Sequence, residues 1–213
     1  MTDMFEALRS KLRRRRGLKN EQAEWERRRF ASPSPAHIKR SVLLRLGWPQ
    51  TDATWVETGT FLGETAEMLA AHAKAVYTIE PEEKLYRQAA ERLSSEPKIR
   101  VMHGLSEEVL PKLLPTLSGT INFWLDGHYS GGITHQGPVD CPVRDELKHI
   151  EANLPRFGDV AVLIDDIRCF DPTIETYADY PDLNELVDWA RRNGFRWSIE
   201  HDIFAAVRKK PSA

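Results

Sequence analysis

Cysteine is scarce: Cys141 and Cys169 are the only two in 213 residues. Two thiols cannot build the disulfide framework of a small secreted domain or a cysteine-only zinc site. No run of about 18 apolar residues occurs, so no transmembrane helix is expected. Residues 1–16 lack the apolar core of a secretory leader. The expected location is therefore a reducing cytoplasm. Two glycine signatures are missing as well. Neither Gly-x-Gly-x-x-Gly nor Gly-Lys-Ser/Thr at the end of a glycine loop appears, which counts against a dinucleotide fingerprint and a P-loop. No aromatic and basic motif of the RNA-recognition kind is present, so nucleic acid is not an expected partner.

What remains is a globular composition, 41% hydrophobic and 29% charged, with length for one domain and one substantial core. The net charge of -2 hides an asymmetry. Residues 1–40 hold 12 Lys/Arg against 5 Asp/Glu, whereas the rest of the chain is acidic. Residues 1–35 read as a basic, helical N-terminal arm, with Met4, Phe5, Leu8 and Leu12 on one stripe and Arg13 to Arg16 following. Ser32-Pro33-Ser34-Pro35 breaks it from a domain over 36–213. Two roles for the arm stay open. It is a solvated helix packing on its own domain or on a second copy in a homodimer, or it meets an anionic partner or a membrane surface.

Beyond the break the pattern alternates. Short apolar, β-branched runs at 53–57, 75–80, 99–103, 120–126 and 160–165 predict strands. Helical patterns at 64–73, 82–94, 106–113 and 143–154 lie between them. Such alternation predicts βαβ units and a doubly wound, mostly parallel α/β sheet. After a helix at 182–193, strands at 195–200 and 203–208 are too close for a crossover and must pair antiparallel.

The sharpest local signal is Glu57-Thr58-Gly59-Thr60-Phe61-Leu62-Gly63-Glu64-Thr65, which leaves the first strand and opens a helix. Gly59 permits a tight turn and a close backbone approach. Glu80 ends the second strand 21 residues later, at the offset of an acidic ribose acceptor. Each signal alone also fits an ordinary strand–helix turn or a solvated loop residue. Together they point to an adenosine-type ligand.

With Met102-His103-Gly104-Leu105-Ser106, Asn122-Phe123-Trp124-Leu125-Asp126-Gly127-His128 and Val162-Leu163-Ile164-Asp165-Asp166, the chain resembles the class I S-adenosylmethionine-dependent methyltransferases over about residues 40–210. The resemblance implies their Rossmann-like, seven-stranded sheet with a C-terminal antiparallel pair. It implies a cofactor site at Glu57, Thr58, Gly59, Thr60, Phe61, Gly63, Thr65, Glu80, Gly104, Leu105, Ser106 and Asp126. Asp126, Asp165 and Asp166 at two strand ends resemble the metal-dependent O-methyltransferases of the macrocin and catechol types. There, equivalent acids hold a divalent cation such as Mg²⁺, which suits oxygen ligands. The same carboxylates also fit plain caps and a cofactor pocket.

Catalysis of this kind rests on positioning and on an acceptor oxygen made nucleophilic. His128, with Asp126, is the candidate base, because imidazole titrates near neutrality. Residues 127–142 form a glycine-rich connection longer than in close metal-dependent relatives, and read as an acceptor-defining loop. The expected reaction is methyl transfer to a hydroxyl of a small molecule or of a sugar or glycan precursor. The alternative is a non-catalytic, adenosyl-binding interaction module. A nucleotide-dependent oxidoreductase is disfavoured by the glycine spacing.

Overall fold

The run Thr54-Trp55-Val56-Glu57-Thr58 has no polar–apolar alternation, and all five residues are buried. Parallel strands covered on both faces require this. The computed structural model describes residues 16–48, 51–127 and 141–210. The helices are α1 (residues 16–27), α2 (Ala36–Leu46), α3 (Glu64–Ala70), α4 (Glu83–Arg92), α5 (Ser106–Leu113), α6 (Val143–Asn153) and α7 (Leu183–Arg192). The strands are β1 (Thr54–Thr58), β2 (Ala75–Glu80), β3 (Ile99–His103), β4 (Gly119–Leu125), β5 (Phe157–Ile164), β6 (Arg196–Glu200) and β7 (Ile203–Arg208).

The strands form one sheet in the order β3-β2-β1-β4-β5-β7-β6. The first five are parallel, and β7 runs antiparallel to both β5 and β6. A mostly parallel sheet with a terminal antiparallel pair is what the alternation predicts, and seven strands are what the resemblance implies. Side chains alternate across it into two cores. Val56, Ile79, Phe123 and Val162 face Leu110, Leu147, Ile150 and Leu186 of α5, α6 and α7. Trp55, Val76, Trp124 and Leu163 face Val42, Leu43 and Leu69 of α2 and α3. Asp182 caps α7 in a reciprocal box with Glu185, which fixes where that helix starts.

Three elements differ from the sequence pattern. Helix α2 lies in a stretch to which the periodicity assigned nothing. Helix α3 ends at Ala70 rather than near residue 73. Strand β5 begins at Phe157, three residues before the predicted start. The described part of the arm is tied down near its end. Trp25 is buried, its indole N–H donates to the Ala31 carbonyl at 3.0 Å, and its ring meets His201 edge-on at 5.1 Å. The Ser34 hydroxyl donates to the His201 carbonyl at 3.2 Å. The Met4–Leu12 stripe and Arg13 to Arg15 lie outside the described residues. No helix among the described residues is long and apolar enough to cross a membrane.

Candidate active site at the carboxyl end of the sheet

The sheet reverses its winding between β1 and β4: β2 and β3 lie to one side, β5 and β7 to the other. Crevices outside the carboxyl ends at such a switch point are where open α/β sheets bind ligands. Glu57, Glu80 and Asp126 all lie at this end. In-register pairing of Thr58 with Ile79 and with Leu125 puts them there.

The β1 exit is a tight turn. The Gly59 and Thr60 N–H groups donate to the Ile79 carbonyl at 3.0 and 3.2 Å, and the Asp126 N–H donates to the Thr58 carbonyl at 3.1 Å. Gly59 has φ +86°, and a Cβ there would lie 2.4 Å from the Asp126 carbonyl oxygen. The glycine is thus demanded by the backbone across the switch point. Phe61 (φ 48°) and Leu62 then stand exposed. Gly63 takes φ +76° and leads into α3, with Thr65 half-buried in its first turn.

Glu57 is only 1% exposed. Its Oε2 accepts from the Thr78 hydroxyl at 2.6 Å. Thr78 Oγ1 and Thr60 Oγ1 are also 2.6 Å apart. When Thr78 gives its one proton to Glu57, Thr60 is the donor in the second bond. Burial pushes the Glu57 carboxyl up to about 8, with Thr78 and Arg40 opposing and Glu80 assisting. Near neutral pH Glu57 thus holds its proton, and a cationic group brought beside it would favour loss of that proton to solvent. The neighbouring Thr58 hydroxyl oxygen is buried with no hydrogen-bond partner among the described residues. An orphaned polar atom beside a poised carboxyl is what a ligand-binding end leaves open.

Glu80 is buried, and each carboxylate oxygen accepts one backbone N–H. Phe61 donates to Oε2 at 2.8 Å and Glu82 to Oε1 at 3.0 Å. Burial raises its carboxyl pKa against the pull of these two amides. Glu80 therefore holds the two loops together, and each oxygen keeps a second acceptor direction for a diol. After β3, the Gly104 N–H donates to the Glu80 carbonyl at 3.1 Å, and Leu105 and buried Ser106 open α5 beside it. His103 stacks on Tyr86 instead of entering the site.

The acidic rim is built differently from the expectation. Lys39, on α2, reaches Asp165 Oδ2 and Asp166 Oδ1, each at 2.7 Å. Asp165 Oδ1 accepts the Asp166 N–H at 2.7 Å. Arg168 binds Asp166 with both guanidinium arms, at 2.6 and 2.9 Å, and also pairs with buried Asp202. Burial pulls the Lys39 ammonium down, but Asp165 and Asp166 outweigh it, so its pKa is raised and it stays charged. Burial raises Asp165 despite Lys39. Asp126, half-buried, is pushed well above the carboxylate range by burial, with Asp165, Asp166 and Glu57 adding and Lys39 opposing.

The three acids expected to hold a divalent cation are therefore not arranged as its ligands. Asp165 and Asp166 are satisfied by protein cations, and among the described residues no group of three or more His, Cys, Asp or Glu is placed to hold a metal. Sequence reading missed Lys39 and Arg168. His128 and most of the 127–142 connection lie outside the described residues. Cys141 and Cys169 are free and buried, and burial pushes the Cys141 thiol up to about 12, which leaves it protonated and unreactive.

The sheet has solved counterparts. An O-methyltransferase from Bacillus cereus, solved with S-adenosylhomocysteine, aligns at TM-score 0.56 and 14% identity over 90% of each chain. The fold is that of the S-adenosylmethionine-dependent methyltransferases. The O-methyltransferase TomG from Streptomyces achromogenes, involved in tomaymycin synthesis and solved with S-adenosylmethionine, aligns at 0.53 and 18% identity, over 89% of this chain and 88% of its own. The N-methyltransferase NodS from Bradyrhizobium japonicum WM9 aligns at 0.55 and 14% identity, over 83% of this chain and 96% of its own. No protein-family model matches the sequence, and no curated protein matches it at a significant level.

Proposed function

We propose that the protein transfers a methyl group from S-adenosylmethionine to an oxygen acceptor, a hydroxyl of a small molecule or of a sugar or glycan precursor. One observation carries the reading. Glu57, Glu80 and Asp126 converge at the switch point of a methyltransferase sheet, beside the unpartnered Thr58 hydroxyl. When bound, S-adenosylmethionine supplies a methyl on a sulfonium, activated for in-line displacement by a nucleophilic oxygen. Glu57, giving up its proton, would meet the ammonium of the methionyl part. Glu80 would accept from the ribose hydroxyls while clamping the two loops. Thr60, Gly63, Thr65, Gly104, Leu105 and Ser106 border the same end, and exposed Phe61 and Leu62 offer it apolar cover.

Asp126, once it has given up its own proton, is the described group proposed to take the acceptor proton. A carboxyl raised by burial and by neighbouring acids is a stronger base than an ordinary carboxylate. His128, two residues on, is the second candidate. A divalent cation at this rim would have to displace Lys39 from Asp165 and Asp166. The 127–142 connection is proposed to shape the acceptor, the basic arm to meet an anionic partner, a membrane surface or a second copy, and the setting to be cytoplasmic.

Incubation with S-adenosylmethionine labelled in its methyl group and a panel of hydroxyl, amine and thiol acceptors tests the reaction. Label in alkali-stable ether products of hydroxyl acceptors is expected. Label confined to amines or thiols, or no transfer to any acceptor, contradicts it.

A further inference from the structure

We propose that Lys39 is the resident cation of the acidic rim, bound to Asp165 and Asp166, two of the three acids (with Asp126) at which the resemblance implies a divalent ion. The account leans on the reading above only for the rim's position beside the cofactor end. The geometry is that of an occupied cation site. One ammonium bridges two carboxylates at 2.7 Å each, with the Lys39 side chain 15% exposed and that of Asp165 4% exposed. The remaining oxygens are taken as well, by the Asp166 N–H on Asp165 and by Arg168 on Asp166. Two protein cations, Lys39 and Arg168, thus pair with the three carboxylates of Asp165, Asp166 and Asp202. A metal entering here would have to expel a buried ammonium and leave it uncompensated, which is strongly unfavourable.

This has a consequence for the acceptor. A dication chelates a vicinal pair of oxygens, whereas an ammonium with two hydrogens committed to Asp165 and Asp166 has one left. The rim therefore suits an acceptor presenting a single oxygen rather than a chelating diol.

The test is a titration of the full chain with Mn²⁺ followed by electron paramagnetic resonance, with S-adenosylhomocysteine binding measured on the same samples. The wild type and Lys39→Arg, which keeps a cation, are expected to leave Mn²⁺ free. Lys39→Met, which takes the ammonium off Asp165 Oδ2 and Asp166 Oδ1 while Arg168 stays on Asp166, is expected to bind it at least about tenfold more tightly than wild type. Stoichiometric micromolar Mn²⁺ binding by the wild type, lost in Asp165→Asn, overturns the proposal. So does a folded Lys39→Met that gains no affinity. If Lys39→Met does not fold, the wild type and Lys39→Arg decide alone. Absence of S-adenosylhomocysteine binding bears on the methyltransferase reading and leaves the Mn²⁺ result intact.

Discussion

Glu57→Gln is expected to make the ligand-free protein more stable at pH 8 and a poorer binder of S-adenosylhomocysteine. The two effects have one origin. The Glu57 carboxyl titrates near 8 in the folded chain against an ordinary value of 4.5, because burial penalises its charge. Between those values the native state holds a proton that the unfolded chain has released. Stability therefore falls as pH rises from about 4.5 to about 8 and levels off above. At about 1.4 kcal/mol per pH unit, relaxation of the site leaves a contribution of about 3–5 kcal/mol. Glutamine keeps the shape and an oxygen for the Thr78 hydroxyl but cannot ionise, so its stability should lack this slope. It also cannot offer a carboxylate to a cationic ligand group, and affinity should fall by about tenfold or more. Denaturant unfolding of both proteins at about pH 5 and about pH 8 checks the first effect, and calorimetry the second. Parallel pH dependences for wild type and variant would contradict the buried, proton-holding state of Glu57.

Gly59→Ala should be among the most damaging single-methyl additions in the chain. Its Cβ would lie 2.4 Å from the Asp126 carbonyl oxygen and 2.9 Å from the Asp126 carbonyl carbon, both backbone atoms, at φ +86°. The left-handed conformation costs about 1–2 kcal/mol and the overpacking about 1–3 kcal/mol more. Relief would move the Asp126–Gly127 backbone away from β1, which would also open the cofactor end. Gly119→Ala is the control, since Gly119 has φ +83° and nothing within 4 Å of its Cβ position. That variant should lose about 1 kcal/mol and keep its ligand affinity. Equal losses for the two glycines would mean that the close approach across the switch point carries no energy.

The fold was legible because its signals are local. Strands β1 to β4 are short runs rich in apolar and β-branched residues, and the short gap between β6 and β7 admits only an antiparallel turn. The strand-end acids were legible for the same reason. The beginning of β5 was not, because Gly158-Asp159 reads as a loop. The chain needs that glycine where Gly158 passes the Gly119 backbone, 3.2 Å from its carbonyl in Cβ terms, beside a shift in the β4–β5 register. Helix α2 was hidden by weak amphipathy, with only Val42 and Leu43 buried. Its burial is decided by Trp55 and Trp124 on the sheet, not by its own pattern. Lys39 was missed because its partners lie 126 and 127 residues away, and no spacing rule links a lysine after a proline break to two aspartates at a strand end. A triad of acids invites a metal on paper. Only the packing of α2 over the strand ends shows which cation the chain itself supplies.

The central claim, an adenosyl-cofactor site between Glu57 and Glu80, is tested most directly by calorimetric titration of the protein with S-adenosylhomocysteine, alongside NAD. The account predicts one site of micromolar affinity for S-adenosylhomocysteine, with release of the Glu57 proton visible as a buffer-dependent heat near neutral pH, and no binding of NAD. No heat with S-adenosylhomocysteine, or preferential binding of NAD, would contradict it.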